Sequence, residues 1–245
     1  MSEQAPAPVV SLVVPVFNEE KNLPLLTAEL CAVMDKIGKT WELILVDDGS
    51  SDESLAVMRE LAASRPETRY LSFSRNCGQS AAFAAGFQEA KGETIVTLDA
   101  DLQNDPADIP DMLELYVKDG NDMIVGWRAR RRDSLVKRMA SRFSNAVRNR
   151  LSYENIKDTG CSLKVLRASM ARRLPMFAGM HRFLPTLMKM QGAKVAEMKV
   201  NHRPRLYGIS KYGLWDRAGT AFLDLLAVRW MLSRRVNYVI KERKA

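Results

Sequence analysis

Between residues 9 and 127, short apolar runs alternate with longer segments whose apolar positions follow the 3.6-residue period of a helix. Short apolar runs bounded by polar residues or glycine are typical of buried strands. The pattern predicts strands over residues 9–17, 43–46, 70–73, 95–98 and 123–125. It predicts helices over residues 19–37, 53–63, 79–90 and 107–117. This alternation indicates an α/β fold with a mostly parallel sheet flanked by helices.

The later part of the chain has a different pattern. Over residues 134–151, apolar residues recur at i, i+4 spacing and basic residues lie off that stripe. This predicts a basic amphipathic helix suited to a membrane interface, although a core-facing helix with a solvated basic side fits equally well. Residues 214–232 form a second apolar helix interrupted by four charged residues, with arginines placed to reach lipid headgroups.

These patterns predict three regions. Residues 1–8 form a flexible tail, with no features of a secretory leader. Residues 9–213 form one domain, with a first half over about 9–127 and a second half over about 128–213. Residues 214–245 form a C-terminal amphipathic helix and a basic tail. We expect the C-terminal helices to associate with a membrane.

Polar residues follow four of the predicted strands at the point where each strand ends. The clusters are 18–20, 47–50, 74–76 and 99–101. In parallel α/β sheets, ligands bind outside the carboxyl ends of the strands, so these clusters are expected to converge. Asp99 and Asp101 repel each other unless a cation lies between them, and Mg²⁺ or Mn²⁺ prefers such oxygen ligands. With Gln103 as a third oxygen donor, the pattern predicts a divalent metal site.

The charge distribution and the cysteine content narrow the class of protein to which the chain can belong. Residues 1–125 carry 9 basic and 22 acidic side chains, a net −13, whereas residues 126–245 carry 28 basic and 7 acidic, a net +21. An anionic partner for the second half is therefore expected: nucleic acid, a phosphorylated ligand or an anionic membrane surface. Three cysteines without metal-type spacing indicate a reducing, cytoplasmic setting. No apolar run reaches the length of a membrane span, and no glycine-rich dinucleotide or P-loop motif is present.

Taken together, several motifs resemble those of family 2 glycosyltransferases with the GT-A fold, a Rossmann-like architecture. The closer resemblance is to the polyprenyl-phosphate branch that includes dolichol-phosphate mannose synthase, and it covers about residues 9–215. The motifs lie at 14–20, 46–52, 74–79, 99–103, 158–164, 180–183, 203–205 and 207–212.

The resemblance implies roles for individual residues. A nucleotide pocket would be formed by Pro15, Phe17, Asn18, Glu19, Asp47, Asp48 and Asp99. The metal, Mg²⁺ or Mn²⁺, would be held by Asp99, Asp101 and Gln103. Phosphate or acceptor contacts would come from Arg75, Arg128, His181, Arg203 and Lys211. The catalytic residues would be Asp101, Asp158 and Arg128.

The implied reaction is metal-dependent, inverting transfer of a sugar from a UDP- or GDP-sugar to a polyprenyl phosphate, at the cytoplasmic membrane face, by a peripheral protein. A polyprenyl phosphate needs no general base, because the second pKa of a phosphomonoester lies near 6. We therefore expect Asp158 to position groups and not to abstract a proton. Expected partners are the donor, the acceptor and an anionic membrane surface, with an integral-membrane partner or a homo-oligomer as a further candidate.

Three alternatives remain open at this stage. The first is a glycosyltransferase with a soluble or glycan acceptor, which the basic amphipathic helix disfavours. The second is a non-catalytic nucleic-acid-binding protein, whose binding would fall steeply with salt. The acidic pocket argues against it, and we expect no nucleic-acid partner. The third is a membrane-recruited scaffold with a degenerate site, which intact Asp99, Asp101 and Gln103 disfavour.

Overall fold

The computed structural model describes residues 9–129, 156–207, 216–236 and 241–242. The tail predicted over residues 1–8, the basic helix predicted over residues 134–151 and the predicted phosphate ligand Lys211 lie outside these ranges. The predicted α/β class is confirmed. In the described part of the chain, one seven-stranded sheet is flanked by helices. None of the described helices combines the length and the apolar character needed to cross a membrane.

The strands of the sheet run in the order β3-β2-β1-β4-β6-β5-β7. Their bounds are β1 (Val10–Val16), β2 (Trp41–Asp47), β3 (Thr68–Ser72), β4 (Thr94–Thr97), β5 (Met123–Trp127), β6 (Lys164–Arg167) and β7 (Val195–Lys199). Strand β6 is antiparallel to both of its neighbours, β4 and β5, and the other pairings are parallel. The chain order reverses between β1 and β4, which is where an open α/β sheet forms its ligand crevice.

The helices pack on both faces of this sheet. They are α1 (Leu23–Ile37), α2 (Ser54–Ser64), α3 (Gln79–Glu89), α4 (Ile109–Lys118), α5 (Ala168–Ala171), α6 (Leu184–Met190) and α7 (Asp216–Ser233). Short 3-10 turns precede α4, at Pro106–Asp108, and α6, at Met180–Arg182. Two buried clusters, one for each face of the sheet, contain Leu12 and Leu43 on one side and Val13 and Ile44 on the other.

One expected boundary was wrong, and two strands were not predicted. The first helix begins at Leu23 and not at residue 19. Residues 20–22 form a turn after Asn18, which has a φ of 54°, so α1 begins only beyond that turn. Strands β6 and β7 were not predicted. Strand β6 has four residues, beginning with a lysine, and β7 is a partly exposed edge strand, so neither gives a clear apolar run.

A buried polar network closes the sheet at the end opposite the polar strand exits. The Glu42 carboxylate is 5% exposed and accepts hydrogen bonds from the Ser11 hydroxyl at 2.6 Å and the Lys91 N–H at 2.7 Å. It also accepts two bonds from the Arg69 guanidinium, at 2.9 and 2.7 Å. Burial would raise the pKa of Glu42, but these donors hold it below its ordinary value of 4.5. The network ties β1, β2, β3 and the entrance to β4 together.

We predict that Glu42→Gln lowers the free energy of unfolding at pH 7 by about 1.5–3 kcal/mol, because a charged acceptor of four hydrogen bonds is lost. The pKa of Glu42 is lower in the folded than in the unfolded state. Its contribution is therefore complete above the ordinary value of 4.5 and is lost as the pH falls through the folded-state pKa. Urea unfolding from pH 7 to pH 3 should show the deficit shrinking in acid, with exposed Glu60→Gln as the control. A deficit that stays constant over this range would contradict the assignment.

Candidate active site

The polar strand exits meet at the carboxyl edge of the sheet, as the sequence predicts. The exits of β1 and β2 are joined first: the Asn18 N–H donates to the Ser50 hydroxyl at 2.9 Å, and the Ser51 N–H donates to the Asn18 side-chain oxygen at 2.8 Å. The Glu19 N–H donates to the Ser54 hydroxyl at 2.8 Å. Pro15 and Phe17 lie at the end of β1 and are half-buried. The predicted nucleotide residues of β1 therefore share one corner of the edge.

The two carboxylates at the end of β2, Asp47 and Asp48, are buried and hold the neighbouring loops in place. Asp47 accepts hydrogen bonds from the Ser50 N–H at 2.9 Å and the Ser72 hydroxyl at 2.8 Å. Asp48 accepts from the N–H groups of Cys77 at 2.7 Å and Gly78 at 2.9 Å. Asp47 thus joins the end of β2 to β3, and Asp48 joins it to the loop between β3 and α3. The nucleoside contact expected of Asp47 or Asp48 stays a prediction.

Glycine is required inside this turn. Gly49 has a φ of 70°, and a Cβ there would lie 2.5 Å from the Arg75 carbonyl carbon. This close approach brings the β3–α3 loop against the β2 exit. The Arg75 side chain is exposed on that loop, and its guanidinium has no hydrogen-bond or ion-pair partner among the described residues. The phosphate contact expected of Arg75 stays a prediction.

Asp99, after β4, is held by residues from two other segments, one bonded to its carboxylate and one to its backbone N–H. The Gln79 side-chain N–H, in the first turn of α3, donates to Asp99 Oδ1 at 2.6 Å. The Asp99 N–H donates to the Ser162 hydroxyl at 3.2 Å, and the Asn104 side-chain N–H donates to the same hydroxyl at 2.7 Å. Ser162 therefore connects both ends of the loop that carries Asp99 and Asp101.

Asp101 pairs with an arginine that the sequence did not single out. Arg205 Nη2 lies 2.6 Å from Asp101 Oδ2, and the Gln103 N–H donates to Asp101 Oδ1 at 3.2 Å. The predicted phosphate ligand Arg203 has its guanidinium elsewhere, at 2.7 Å from Glu29 and 2.6 Å from Asp105. A phosphate contact by Arg203 would require those two pairs to open, whereas Arg205 already lies at the acidic site.

Arg128 and Asp158 form a buried, two-pronged ion pair. Arg128 Nε and Nη2 donate to Asp158 Oδ2 and Oδ1 at 2.7 and 3.0 Å, and the Arg128 N–H donates to Oδ2 at 3.2 Å. Burial alone would lower the pKa of Arg128, but the bonds and negative charge of Asp158 raise it above its ordinary value. Two of the three predicted catalytic residues are therefore mutual partners, which fits a positioning role for Asp158.

Lys164, at the start of β6, is a second buried cation that the sequence did not indicate. Its side chain is 3% exposed and donates to the carbonyl of Cys161. Burial lowers the pKa of Lys164, and the negative charges of Asp99 and Asp158 oppose that effect. Lys164 therefore adds positive potential behind the acidic pair.

His181 lies in the 3-10 turn Met180–Arg182, between α5 and α6. Its Nδ1 lies 2.8 Å from the Ser80 hydroxyl oxygen, so the two side chains share a hydrogen bond. The structure therefore places this predicted acceptor-side residue against the N-terminal turn of α3, directly beside Gln79.

The donor set around β4 fits a hard divalent cation. Burial, and then the negative charge of Asp101, raise the pKa of the Asp99 carboxyl to about 6, and a cation beside Asp99 would favour its charged form. Among the residues described, no three His, Cys, Asp or Glu side chains gather into a ligand group. Two carboxylates with the Gln103 amide would leave positions for donor phosphates and water, as Mg²⁺ sites usually do.

Three contacts at this site were missed by sequence reasoning: those of Gln79, Ser162 and Arg205. Gln79 lies 20 residues from Asp99 along the chain, and Ser162 lies 63 residues from it. Gln79 and Ser162 stand inside motifs of the family resemblance, which was the available signal. Arg205 lies in the same motif as Arg203, at residues 203–205, and only the three-dimensional structure shows which of the two contacts Asp101.

The same fold occurs in solved glycosyltransferase structures. Glucosyl-3-phosphoglycerate synthase from Mycobacterium tuberculosis, in complex with Mn²⁺, UDP-glucose and phosphoglyceric acid, aligns with a TM-score of 0.66 at 17% identity. The alignment covers 94% of this chain and 81% of that one. A mannosyltransferase from Pyrobaculum calidifontis, in complex with GDP-mannose and Mn²⁺, aligns with a TM-score of 0.60 at 18% identity, over 96% and 67% of the two chains. The fold is therefore GT-A-like.

Residues 11–174 match the family model described as glycosyl transferase family 2, and the chain belongs to that family. Dodecaprenyl-phosphate galacturonate synthase from Rhizobium johnstonii is 40% identical over 227 residues, 91% of this chain and 67% of that protein. Undecaprenyl-phosphate 4-deoxy-4-formamido-L-arabinose transferase from Pectobacterium atrosepticum is 42% identical over 205 residues, 83% of this chain and 62% of that protein. The chain thus spans about two thirds of the length of these curated relatives.

We predict that Asp158→Asn lowers glycosyl transfer about a hundredfold at every pH, because a displaced Arg128 misplaces the reacting groups. The pH profile should keep its wild-type shape, since no proton passes through Asp158. Initial rates from pH 6 to pH 9 measure this, with exposed Asp111→Asn as the matched control. Activity that recovers as the pH rises would instead identify Asp158 as a general base.

Proposed function

We propose that this chain transfers a sugar from a nucleotide-sugar donor to a polyprenyl phosphate, in a single displacement that inverts the anomeric configuration. The observation that carries the proposal is the meeting of Asp99, Asp101 and Arg205 at the carboxyl edge of the sheet, with Arg128 close behind. Relatives at 40% and 42% identity, which carry the names of dodecaprenyl- and undecaprenyl-phosphate sugar transferases, support the acceptor class.

The donor side is assigned to the β1, β2 and β4 exits. Pro15, Phe17, Asn18 and Glu19 would border the nucleoside, and Asp99, Asp101 and Gln103 would hold Mg²⁺ or Mn²⁺. When bound, the metal supplies positive charge to the diphosphate leaving group. UDP-glucose and GDP-mannose complexes of proteins with this fold support a nucleotide-sugar donor. The donor nucleotide and sugar are for the assay below to identify.

On the acceptor side, an oxygen of the lipid phosphate would form the new bond to the anomeric carbon while the bond to the diphosphate breaks. The electron pair of the broken bond leaves with the diphosphate. Because the acceptor phosphate is already mostly dianionic at neutral pH, no side chain needs to remove a proton. The chain must instead bring two anions together, and arginine binds phosphate well for that purpose. Arg75 would contact the phosphates directly, and Arg128 and Arg205 would add positive charge from within their pairs with Asp158 and Asp101.

The outer face of α7 supports peripheral attachment to an anionic membrane surface, on the cytoplasmic side. Its inner face packs on the core through Leu225 and Val228, which are 6% and 0% exposed. Its outer face presents an apolar stripe of Phe222, Leu223, Leu226 and Trp230, whose exposed fractions are 52%, 65%, 44% and 64%. Arg234 and Arg235 follow the helix and are exposed. An apolar stripe with an aromatic ring and flanking arginines is suited to the headgroup region.

We predict that Asp101→Ala reduces transfer at least about a hundredfold and weakens metal-dependent binding of UDP or GDP, because a charge-bearing ligand of the metal is lost. The test incubates the protein with Mn²⁺, undecaprenyl phosphate and a panel of sugar nucleotides, and detects products by mass spectrometry. Asp111→Ala, an exposed aspartate in the first turn of α4, is the matched control.

Circular dichroism and the melting temperature should show that Asp101→Ala remains folded. Unchanged turnover in this variant would contradict the proposed site. Product formed only with soluble or glycan acceptors would contradict the proposed acceptor class and leave the donor site intact.

We predict that the double variant Phe222→Ser with Trp230→Ser lowers partitioning onto anionic liposomes at least about tenfold. Removing two half-exposed aromatic side chains should cost more than about 1.4 kcal/mol of insertion energy. Co-sedimentation with phosphatidylglycerol vesicles measures the partitioning. Val117→Ser, on α4, is the control because Val117 is apolar and 63% exposed. Equal partitioning of the wild type and the double variant would exclude α7 as the attachment surface.

A further inference from the structure

The N-terminal turn of α3 contacts three separate parts of the domain through three consecutive residues. The Gly78 N–H donates to the Asp48 carboxylate, the Gln79 side chain donates to Asp99, and the Ser80 hydroxyl contacts His181. The turn therefore joins the β2 exit, the β4 exit and the segment before α6. Gln79 stands in the middle, with both of its neighbours fixed.

We propose that Gln79 is a positioning residue that orients the Asp99 carboxylate for metal binding. The observation is the contact of 2.6 Å between Gln79 Nε2 and Asp99 Oδ1, short enough to be a charge-assisted hydrogen bond. This inference rests on the proposed metal-dependent transfer. It adds a residue that touches neither the donor nor the acceptor and acts through Asp99.

The chemistry of the amide suits this task. A carboxylate beside another carboxylate has several orientations open to it, and each one that turns away from the cation weakens binding. A hydrogen-bond donor that binds one carboxylate oxygen restricts the carboxylate to some of those orientations. An arginine or lysine in place of Gln79 would also donate, but its positive charge would compete with the cation, whereas the neutral amide does not. Partners of this kind typically contribute 10- to 100-fold to metal affinity.

The Gln79 side chain is itself held in place by its backbone. Gly78 has a φ of 91°, a conformation that favours glycine, and its N–H is bound to Asp48 at 2.9 Å. On the other side, the Ser80 hydroxyl is bound to His181 at 2.8 Å and is nearly buried. With both flanking residues fixed, the first turn of α3 directs the Gln79 amide at Asp99 before any cation binds.

The test compares Gln79→Met with the wild type in Mn²⁺ binding, at a fixed concentration of UDP. Methionine keeps the length of the side chain and removes the N–H. We expect the dissociation constant for Mn²⁺ to rise about tenfold, read from the electron paramagnetic resonance signal of free Mn²⁺. The control is Gln88→Met on the same helix, because Gln88 donates to the Arg172 carbonyl at 3.0 Å, away from Asp99. Its Mn²⁺ affinity should match that of the wild type.

Thermal unfolding in EDTA shows whether each variant remains folded without metal. A general loosening of α3 would weaken Mn²⁺ binding in both variants, and that result would overturn the proposal. An unchanged affinity in Gln79→Met would overturn it as well, while the proposed transfer would stand. Failure of the wild type to bind Mn²⁺ with either UDP or GDP would overturn both this inference and the metal dependence of the proposed function.

Discussion

The site depends on the repulsion between two carboxylates, Asp99 and Asp101, at the end of a buried strand. Burial, and then the negative charge of Asp101, raise the pKa of Asp99, because a buried carboxylate beside a second one costs free energy to ionise. A fold that keeps both residues must bring compensating groups to them. The Gln79 amide and the Arg205 guanidinium bond directly to the two carboxylates, and the Ser162 hydroxyl and the positive charge of Lys164 lower the pKa of Asp99.

The antiparallel strand β6 makes part of that compensation available. It pairs with β4 through Thr97 and Lys164, so the residues just before it lie at the same edge as Asp99. Ser162 and Lys164 reach the acidic pair by this route. In a fully parallel arrangement the neighbouring strand would begin at the opposite edge of the sheet, and the residues just before it would lie away from Asp99. The irregular strand in an otherwise parallel sheet therefore has a direct consequence for the chemistry.

The sequence was sufficient for the alternating fold and for the acidic pair, because both are local patterns. It was insufficient wherever two similar residues compete for one position. Arg203 and Arg205 are separated by one residue, and only the path of the chain after β7 decides which of them reaches Asp101. Likewise, the nucleotide role of Asp47 and Asp48 stays a prediction, whereas the hydrogen bonds by which both hold loops together were not indicated by the sequence. Burial of a polar residue in a loop network leaves no periodic signal.

The charge asymmetry of the chain also allows ion pairs to form between its two halves. Arg203 pairs with Glu29 and Asp105, Arg205 with Asp101, and Arg167 with Asp122, and each pair joins the basic second half to the acidic first half. Exposed pairs contribute little individually, but several on one segment fix its path. Part of the basic excess thus attaches the later segments across the acidic edge. Among the described residues, Arg75 in the first half and Arg234 and Arg235 after α7 are exposed, and under the proposed function they would meet an anionic donor, acceptor or membrane.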